Sequence, residues 1–276
     1  MTPAPRPRAA ILALPLLAAL ACEQSAGPES DFPANATPYP APGVYAAWWR
    51  VAEQCSGRRA DMGRVSWYSV PGLIAGGVEP ANGAFFRDGS RIALASGSLR
   101  DGPVVRHEML HAILSLASAG QASGHPREMF FERCGGIVTC NGGCAREAGI
   151  DAYPGPPAAT VEPAELALSL ALDRPSAAAS DTGWLAVIVG ARNPRATVVA
   201  VNVPASPLGY GPLFGADVEG LAHASIRLVE FPPLRPGETR RWVFEWPVGG
   251  LGPGAHRVRG AFVRDSTAPE TFTVLP

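Results

Sequence analysis

Apolar residues recur at helical spacing at the start of the folded region and at strand spacing soon after it. From Val44 to Cys55 they lie about one turn apart, which predicts a helix with one apolar side. From Arg64 to Val70 polar and apolar positions alternate, as they do in a half-buried strand. The chain therefore enters its folded region with a helix followed by a strand.

A second strand and a second helix are predicted further along. Pro71 to Asp88 is Gly-rich and irregular, and Arg91 to Ala95 is a strand candidate. A turn from Gly97 to Gly102 leads into the next helix. Asp101 is well placed to cap that helix, and Pro103 is tolerated in its first turn.

Beyond about residue 160 the pattern changes to short apolar segments separated by turns. Turn residues such as those at 235–238 lie between the segments. About seven strands in this length predict an all-β immunoglobulin-like sandwich, and the arrangement resembles several bacterial immunoglobulin-like accessory domains. The predicted strands are Leu166–Leu172, Trp184–Ala191, Thr197–Val203, Ile226–Phe231, Trp242–Trp246, Val258–Val263 and Phe272–Leu275.

The N-terminus is typical of an exported protein. Arg6 and Arg8 precede an apolar run of about a dozen residues, which is the length of a signal-peptide core and too short to span a bilayer. Residues 19–22, Ala-Leu-Ala-Cys, resemble the bacterial lipoprotein lipobox, although Ala19 stands where leucine is usual. The resemblance implies that residues 1–22 are a lipoprotein signal peptide and that Cys22 carries the lipid. An ordinary secretory signal is the alternative.

The composition predicts a flexible tether and argues against a nucleic-acid partner. The 276 residues are 47% hydrophobic, which allows one large or two ordinary domains. The formal net charge of -1 argues against a nucleic-acid partner, because such proteins present a basic surface. Residues 23–43 are rich in Pro, Ala, Ser and Gly, which predicts a flexible tether.

The second predicted helix carries the motif His107-Glu108-Met109-Leu110-His111. Residues four apart share one face of a helix, so His107 and His111 can bind one metal ion together. Glu108 lies beside them, where it can take a proton from the attacking water. This motif resembles that of the zincin metallopeptidases. The resemblance implies a zinc ion, a peptide or protein substrate, and an edge strand at Arg91–Ala95 that pairs with the substrate.

A catalytic zinc site needs a third protein ligand. The compact metzincin pattern would place it at Ala117, so that pattern fails. His125 is similar in spacing to the third ligand of the SprT-like zincins, although Pro126 replaces a glycine there. Glu132 fits the gluzincin spacing and Glu128 is a further alternative, so the third ligand stays open among these three residues.

Four cysteines remain after Cys22 is set aside, an even number that suits disulfides in an exported protein. Three pairings are open. The favoured one joins Cys55 to Cys134 and Cys140 to Cys144, and a second zinc site on these cysteines is the alternative.

The expected fold class is an α+β zincin-like domain at residues 44–150, a linker at 151–159 and the immunoglobulin-like domain at 160–276. The expected function is that of an extracytoplasmic zinc peptidase with Glu108 as general base, lipid-anchored to the bacterial cell envelope. A non-catalytic, zinc-holding binding lipoprotein is the alternative.

Overall fold

The computed structural model describes residues 31–74, 80–117, 124–140, 143–150, 154–203, 213–219, 223–227 and 231–276. The expected signal peptide, with the lipidation candidate Cys22, lies outside these residues. So does the first part of the expected tether, residues 23–30.

Helices are few among the described residues, and none of them has the length and apolar character needed to cross a membrane. The helices are α1 (Gly43–Ser56), α2 (Gly102–Ala117), a π-helix (Glu128–Arg133) and α3 (Gly143–Glu147). The strands are β1 (Thr37–Pro38), β2 (Ser66–Val70), β3 (Gly83–Phe86), β4 (Arg91–Ala95), β5 (Ala159–Val161), β6 (Ala167–Leu172), β7 (Ser176–Ala178), β8 (Trp184–Arg192), β9 (Val199–Val201), β10 (Leu213–Val218), β11 (Ala224–Arg227), β12 (Thr239–Pro247), β13 (Gly254–Phe262), β14 (Asp265–Ser266) and β15 (Glu270–Leu275).

The first sheet has the strand order β1-β2-β4-β3. β2 and β4 run parallel, and β3 pairs antiparallel with β4. The expectation that β4 is the edge strand is therefore wrong, because β3 covers its free side. β3 forms inside the Gly-rich stretch that was expected to be irregular: the side chain of Phe86 is buried, and Gly83 permits a close approach to α2.

The start of the described chain lies against this sheet. Thr37 and Pro38 pair with β2, and the ring of Phe32 packs edge-on against Tyr68 and Phe86, with ring centroids 4.8 and 5.0 Å apart. The flexible tether expected over residues 23–43 therefore does not include residues 31–43. Their aromatic side chains bury apolar surface, which the Pro- and Ala-rich composition conceals.

Helix α1 is apolar on two sides rather than one. Tyr45 and Trp49 pack towards the first sheet, whereas Ala47 and Val51 belong to a cluster that includes Ala186 and Ile188 of β8. The helix is thus held between two sheets. Arg50 reinforces the contact with an ion pair to Asp173 at 2.7 Å.

The C-terminal strands form a three-stranded sheet in the order β12-β8-β6, a larger sheet in the order β11-β10-β13-β15-β7 with β14 beside β13, and a β5–β9 pair. The seven apolar segments predicted here all overlap strands. β8 is buried along almost its whole length, because one face packs into the core shared with the larger sheet and the other meets α1.

The expected fold class, an α+β zincin-like domain followed by an immunoglobulin-like sandwich, is therefore wrong. Among the described residues the elements are mostly β-strands, with a curled sheet and few helices. In a simple sandwich the outer face of β8 would meet water and its residues would alternate. The nearly continuous apolar run from Leu185 to Val189 instead makes β8 an inner layer shared by both parts of the chain.

Candidate metal centre

Three histidines from two segments meet at one point of the structure. His107 and His111 lie one turn apart on α2, whose apolar residues Val105, Met109 and Ile113 are fully buried and fix the helix in place. His125 comes from the segment before the π-helix, where Gly124 has a φ of 78°. A left-handed residue at this position suits glycine and turns the chain towards α2.

The Nε2 atoms of the three imidazoles form a nearly equilateral triangle. The distances are 3.1 Å between His107 and His125, 3.2 Å between His107 and His111, and 3.2 Å between His111 and His125. A tetrahedral ion held by three imidazole nitrogens at its usual bond length places those nitrogens about 3.3 Å apart. The triangle is therefore of the right size for one metal ion, and the three histidines form a group that could hold one.

The hydrogen bonds on the far side of two rings support the same conclusion. Nδ1 of His107 lies 2.5 Å from the carbonyl oxygen of Thr139, and Nδ1 of His125 lies 2.6 Å from a carboxylate oxygen of Glu147. Both partners accept, so both Nδ1 atoms carry the hydrogen and both Nε2 atoms present lone pairs. Two lone pairs 3.1 Å apart repel unless a cation lies between them.

A proton is poorly suited to be that cation. Burial lowers the pKa of His107 to about 4; a positive charge on His125 would lower it further, and the hydrogen bond to the carbonyl of Thr139 opposes the shift. Burial also lowers the pKa of His111 well below its usual value, and His107, His125 and Arg87 add to the effect. Neutral imidazoles are the form that binds metals, so the environment favours a metal ion.

Phe130 of the π-helix lies against all three rings. Its ring centroid lies 5.0 Å from that of His107, 4.7 Å from that of His111 and 4.9 Å from that of His125. The side chain is fully buried. It therefore excludes water from one side of the triad and limits the rotation of the imidazoles.

Glu108 projects from α2 towards β3. It is 6% exposed, and a Cβ atom added at Gly83 would lie 2.7 Å from its Cγ atom. Burial raises the pKa of Glu108 to about 8, and a hydrogen bond from the backbone of Phe85 lowers it in part. Among the described residues, the carboxyl group is thus held against the outer edge of the first sheet, at β3.

The alternative third ligands lie elsewhere. Glu128 pairs with Arg133 at 3.7 Å and Glu132 with Arg127 at 3.2 Å, and both glutamate side chains are largely exposed. Two groups of described residues could hold a metal ion, His107 with His111 and His125, and His107 with Cys140 and Cys144, and neither group contains these glutamates. Of the three candidates, the structure brings only His125 to the triad.

Two residues that hydrogen-bond to the histidines were not predicted from the sequence. Thr139 acts through its backbone carbonyl, which no residue pattern reveals. Glu147 lies 22 residues after His125, on the short helix α3. Its only sequence signal is an acidic residue just past the last pair of cysteines.

The cysteines lie in the favoured pairing at disulfide distance. Cys55 at the end of α1 and Cys134 after the π-helix have Cα atoms 5.1 Å apart, and Cys140 and Cys144 have Cα atoms 5.4 Å apart. The Cys55–Cys134 bond links α1 to the segment that follows Phe130. The second closes a short loop next to His107.

A cavity of about 970 Å³ lies beside the metal centre, between the start of α2 and β12. Thr139 contributes to its wall, but the three histidines do not. Trp48, Arg106 and Glu245 line it: Nε1 of Trp48 donates to the carboxylate of Glu245 at 2.6 Å, and Nη1 of Arg106 lies 3.5 Å from that carboxylate. This part-buried contact joins α1 and α2 to β12.

Comparisons with known proteins add little. No protein-family model and no curated protein matches the chain. Among solved structures, a β-glucosidase from Listeria innocua in complex with glucose matches with a TM-score of 0.25 and 13% identity, over 40% of this chain and 16% of that one. A β-glucosidase from Erythrobacter marinus matches with a TM-score of 0.24 and 14% identity, over the same shares. Likeness at this level carries no argument, so the function of the chain rests on the geometry of its metal centre.

Proposed function

We propose that the chain is an extracytoplasmic zinc-dependent peptidase, in which His107, His111 and His125 bind one zinc ion and Glu108 is the general base. The observation that carries the proposal is the triangle of Nε2 atoms at 3.1–3.2 Å with the Nδ1 hydrogens of two rings donated elsewhere. Three neutral nitrogen ligands suit zinc and leave a position open for water or substrate.

Zinc at this site would polarise a carbonyl group and lower the pKa of water. Glu108 follows His107 on α2 and would accept the proton of the attacking water, then pass it to the leaving nitrogen. His125 and His107 are oriented by Glu147 and Thr139, and Phe130 keeps bulk water from the back of the site.

The outer edge of β3 supports a peptide as substrate. In the part of the chain that the structure describes, β3 is the last strand of its sheet, with a single bridge between Ile74 and Ala81 just before it, and Glu108 lies against its backbone at Gly83 and Phe85. An extended peptide that added to this edge would run past Glu108, the usual way in which a sheet edge recognises a peptide. Export and lipid anchoring through Cys22 would place this activity at the cell envelope, with no nucleic-acid partner.

A second candidate is a zinc-holding binding protein without turnover. The observation in its favour is that Glu108 is buried and hydrogen-bonded to the backbone of Phe85, a structural role that needs no catalysis.

Cleavage of a broad peptide library by the purified chain separates the two candidates. The peptidase requires cleavage that a chelator abolishes and that added zinc restores. Zinc binding without any cleavage would favour the binding protein.

A further inference from the structure

The two acceptors that fix the imidazoles lie in one short segment, residues 139–147. Thr139 accepts from His107 and Glu147 accepts from His125. Thr139 is bonded directly to Cys140, and Cys144 lies three residues before Glu147 on α3. A bond between the two cysteines therefore joins the parts of the segment that carry both acceptors.

Helix α3 cannot hold Glu147 by itself. It has five residues, far fewer than the 12–15 or so at which isolated helices become marginally stable. The side chain of Glu147 is 56% exposed, and ion pairs at such positions form only weakly unless their geometry is imposed. The fixed end of the helix is instead Cys144, which is buried in the apolar cluster that contains Phe130.

The cross-link also lies beside the metal ligand itself. A ring nitrogen of His107 and the Sγ atoms of Cys140 and Cys144 all lie within 4.8 Å of one another. Any rearrangement of the loop thus reaches His107 directly, in addition to the change in the carbonyl of Thr139.

We propose that the Cys140–Cys144 disulfide is a positioning element of the metal centre. By fixing Thr139 and Glu147, it holds two of the three imidazoles with Nε2 turned towards the ion. Loss of such outer hydrogen-bond partners lowers metal affinity by about 10- to 100-fold. The inference needs the metal centre of the proposed function but not its peptidase activity, so its test measures binding alone.

The test is the zinc dissociation constant of the full chain, measured by competition with a chromophoric chelator. C140S/C144S should raise the constant by about 10- to 100-fold. C55S/C134S is the matched control. That disulfide closes a much longer loop, with a sequence separation of 79 against 4, so its removal should lower the unfolding midpoint more. Its dissociation constant should change little, and an equal rise in both variants would overturn the proposal.

A double-mutant cycle tests whether the disulfide acts through Glu147. With the disulfide intact, Glu147→Ala should raise the dissociation constant by roughly 10-fold. Glu147→Gln should raise it less, because its amide oxygen still accepts from His125. In the C140S/C144S background the effect of Glu147→Ala should nearly vanish, since coupled residues are not additive. The same effect in both backgrounds would contradict the proposed role.

A third variant keeps the test decisive if C140S/C144S does not fold. Two glycines inserted between Asn141 and Gly142 leave the disulfide intact and lengthen the loop that it closes. The insertion should weaken zinc binding as the serine variant would, because the covalent bond remains but no longer fixes the two acceptors. Unchanged affinity in this variant would also overturn the proposal.

Discussion

The carboxylate of Glu147 accepts a hydrogen bond from Nδ1 of His125 at 2.6 Å, across 22 residues of sequence. This contact turns Nε2 of His125 towards the two histidines of α2. The position of His125 therefore depends on α3, a helix of five residues, and on the Cys140–Cys144 disulfide.

The first prediction concerns the ligands. Purified chain should carry about one zinc ion, and alanine at His107 or at His111 should remove it, because each substitution leaves only two nitrogen ligands. His125→Ala should weaken binding strongly. The measurement is metal content by elemental analysis. Glu132→Ala is the control and should keep its zinc; loss of zinc in this variant with retention in His125→Ala would refute the proposed ligand set.

The sequence predicted the parts of the site that depend on short spacings. His107 and His111 follow from helical geometry, and the residue ranges of β4 and α1 follow from local patterns. The strand β3 was missed because a Gly-rich stretch gives no alternation, although Phe85 and Phe86 lie within it. Thr139 and Glu147 were missed because their contacts arise from tertiary structure.

The expected fold class is wrong, although one apolar run in the sequence argues against it. The run Leu185 to Val189 has no polar position, as a strand buried on both faces requires, whereas the sandwich model assumed one solvated face. Helix α1 also lies between two apolar clusters, since its residues Trp48 and Val51 belong to different ones. Together these two elements indicate an inner layer and not two separate cores.

The second prediction concerns the close approach of β3 to Glu108, the proposed general base. Gly83→Ala should displace Glu108, because the new Cβ atom would lie 2.7 Å from its Cγ atom and 2.9 Å from Oε1. Peptide cleavage should fall about 10- to 100-fold, since a displacement of roughly 1 Å has that effect on catalytic groups. Zinc content should not change.

Gly97→Ala is the matched control for this experiment, because no atom lies within 4 Å of a Cβ atom at that position. It should cleave peptides at the wild-type rate. Equal activity of Gly83→Ala and Gly97→Ala would show that the position of Glu108 against β3 does not matter for turnover.

The third prediction concerns stability. Arg106 is 3% exposed, and its charge is balanced by Glu245, which also accepts from Trp48. Glu245→Gln leaves a buried guanidinium without its ion-pair partner, with only Asp101 as a further negative charge, and should lower the free energy of unfolding by about 3 kcal/mol. Chemical denaturation gives this value. Glu132→Gln removes an exposed ion pair and should cost less than about 1 kcal/mol; similar losses in the two variants would contradict the structural role of the contact.

The fourth prediction concerns export. Cells that express the chain should incorporate radioactive palmitate into it, and Cys22→Ser should abolish the label, because the lipobox-like residues end at that cysteine. Cys55→Ser is a control, since it removes a cysteine outside the signal. Label that persists in Cys22→Ser would exclude lipid attachment at this residue.

The central claim is that Glu108 is the general base of a zinc peptidase, and Glu108→Gln tests it most directly. Glutamine keeps the size of the side chain and its polar contact with β3, but it cannot accept the proton. The measurement is turnover of a peptide library by wild type and variant, with zinc content determined on the same samples. We predict full zinc in both proteins and a fall in cleavage of roughly 100-fold or more in the variant, the usual range for a general base. Equal cleavage by the two proteins would contradict the claim.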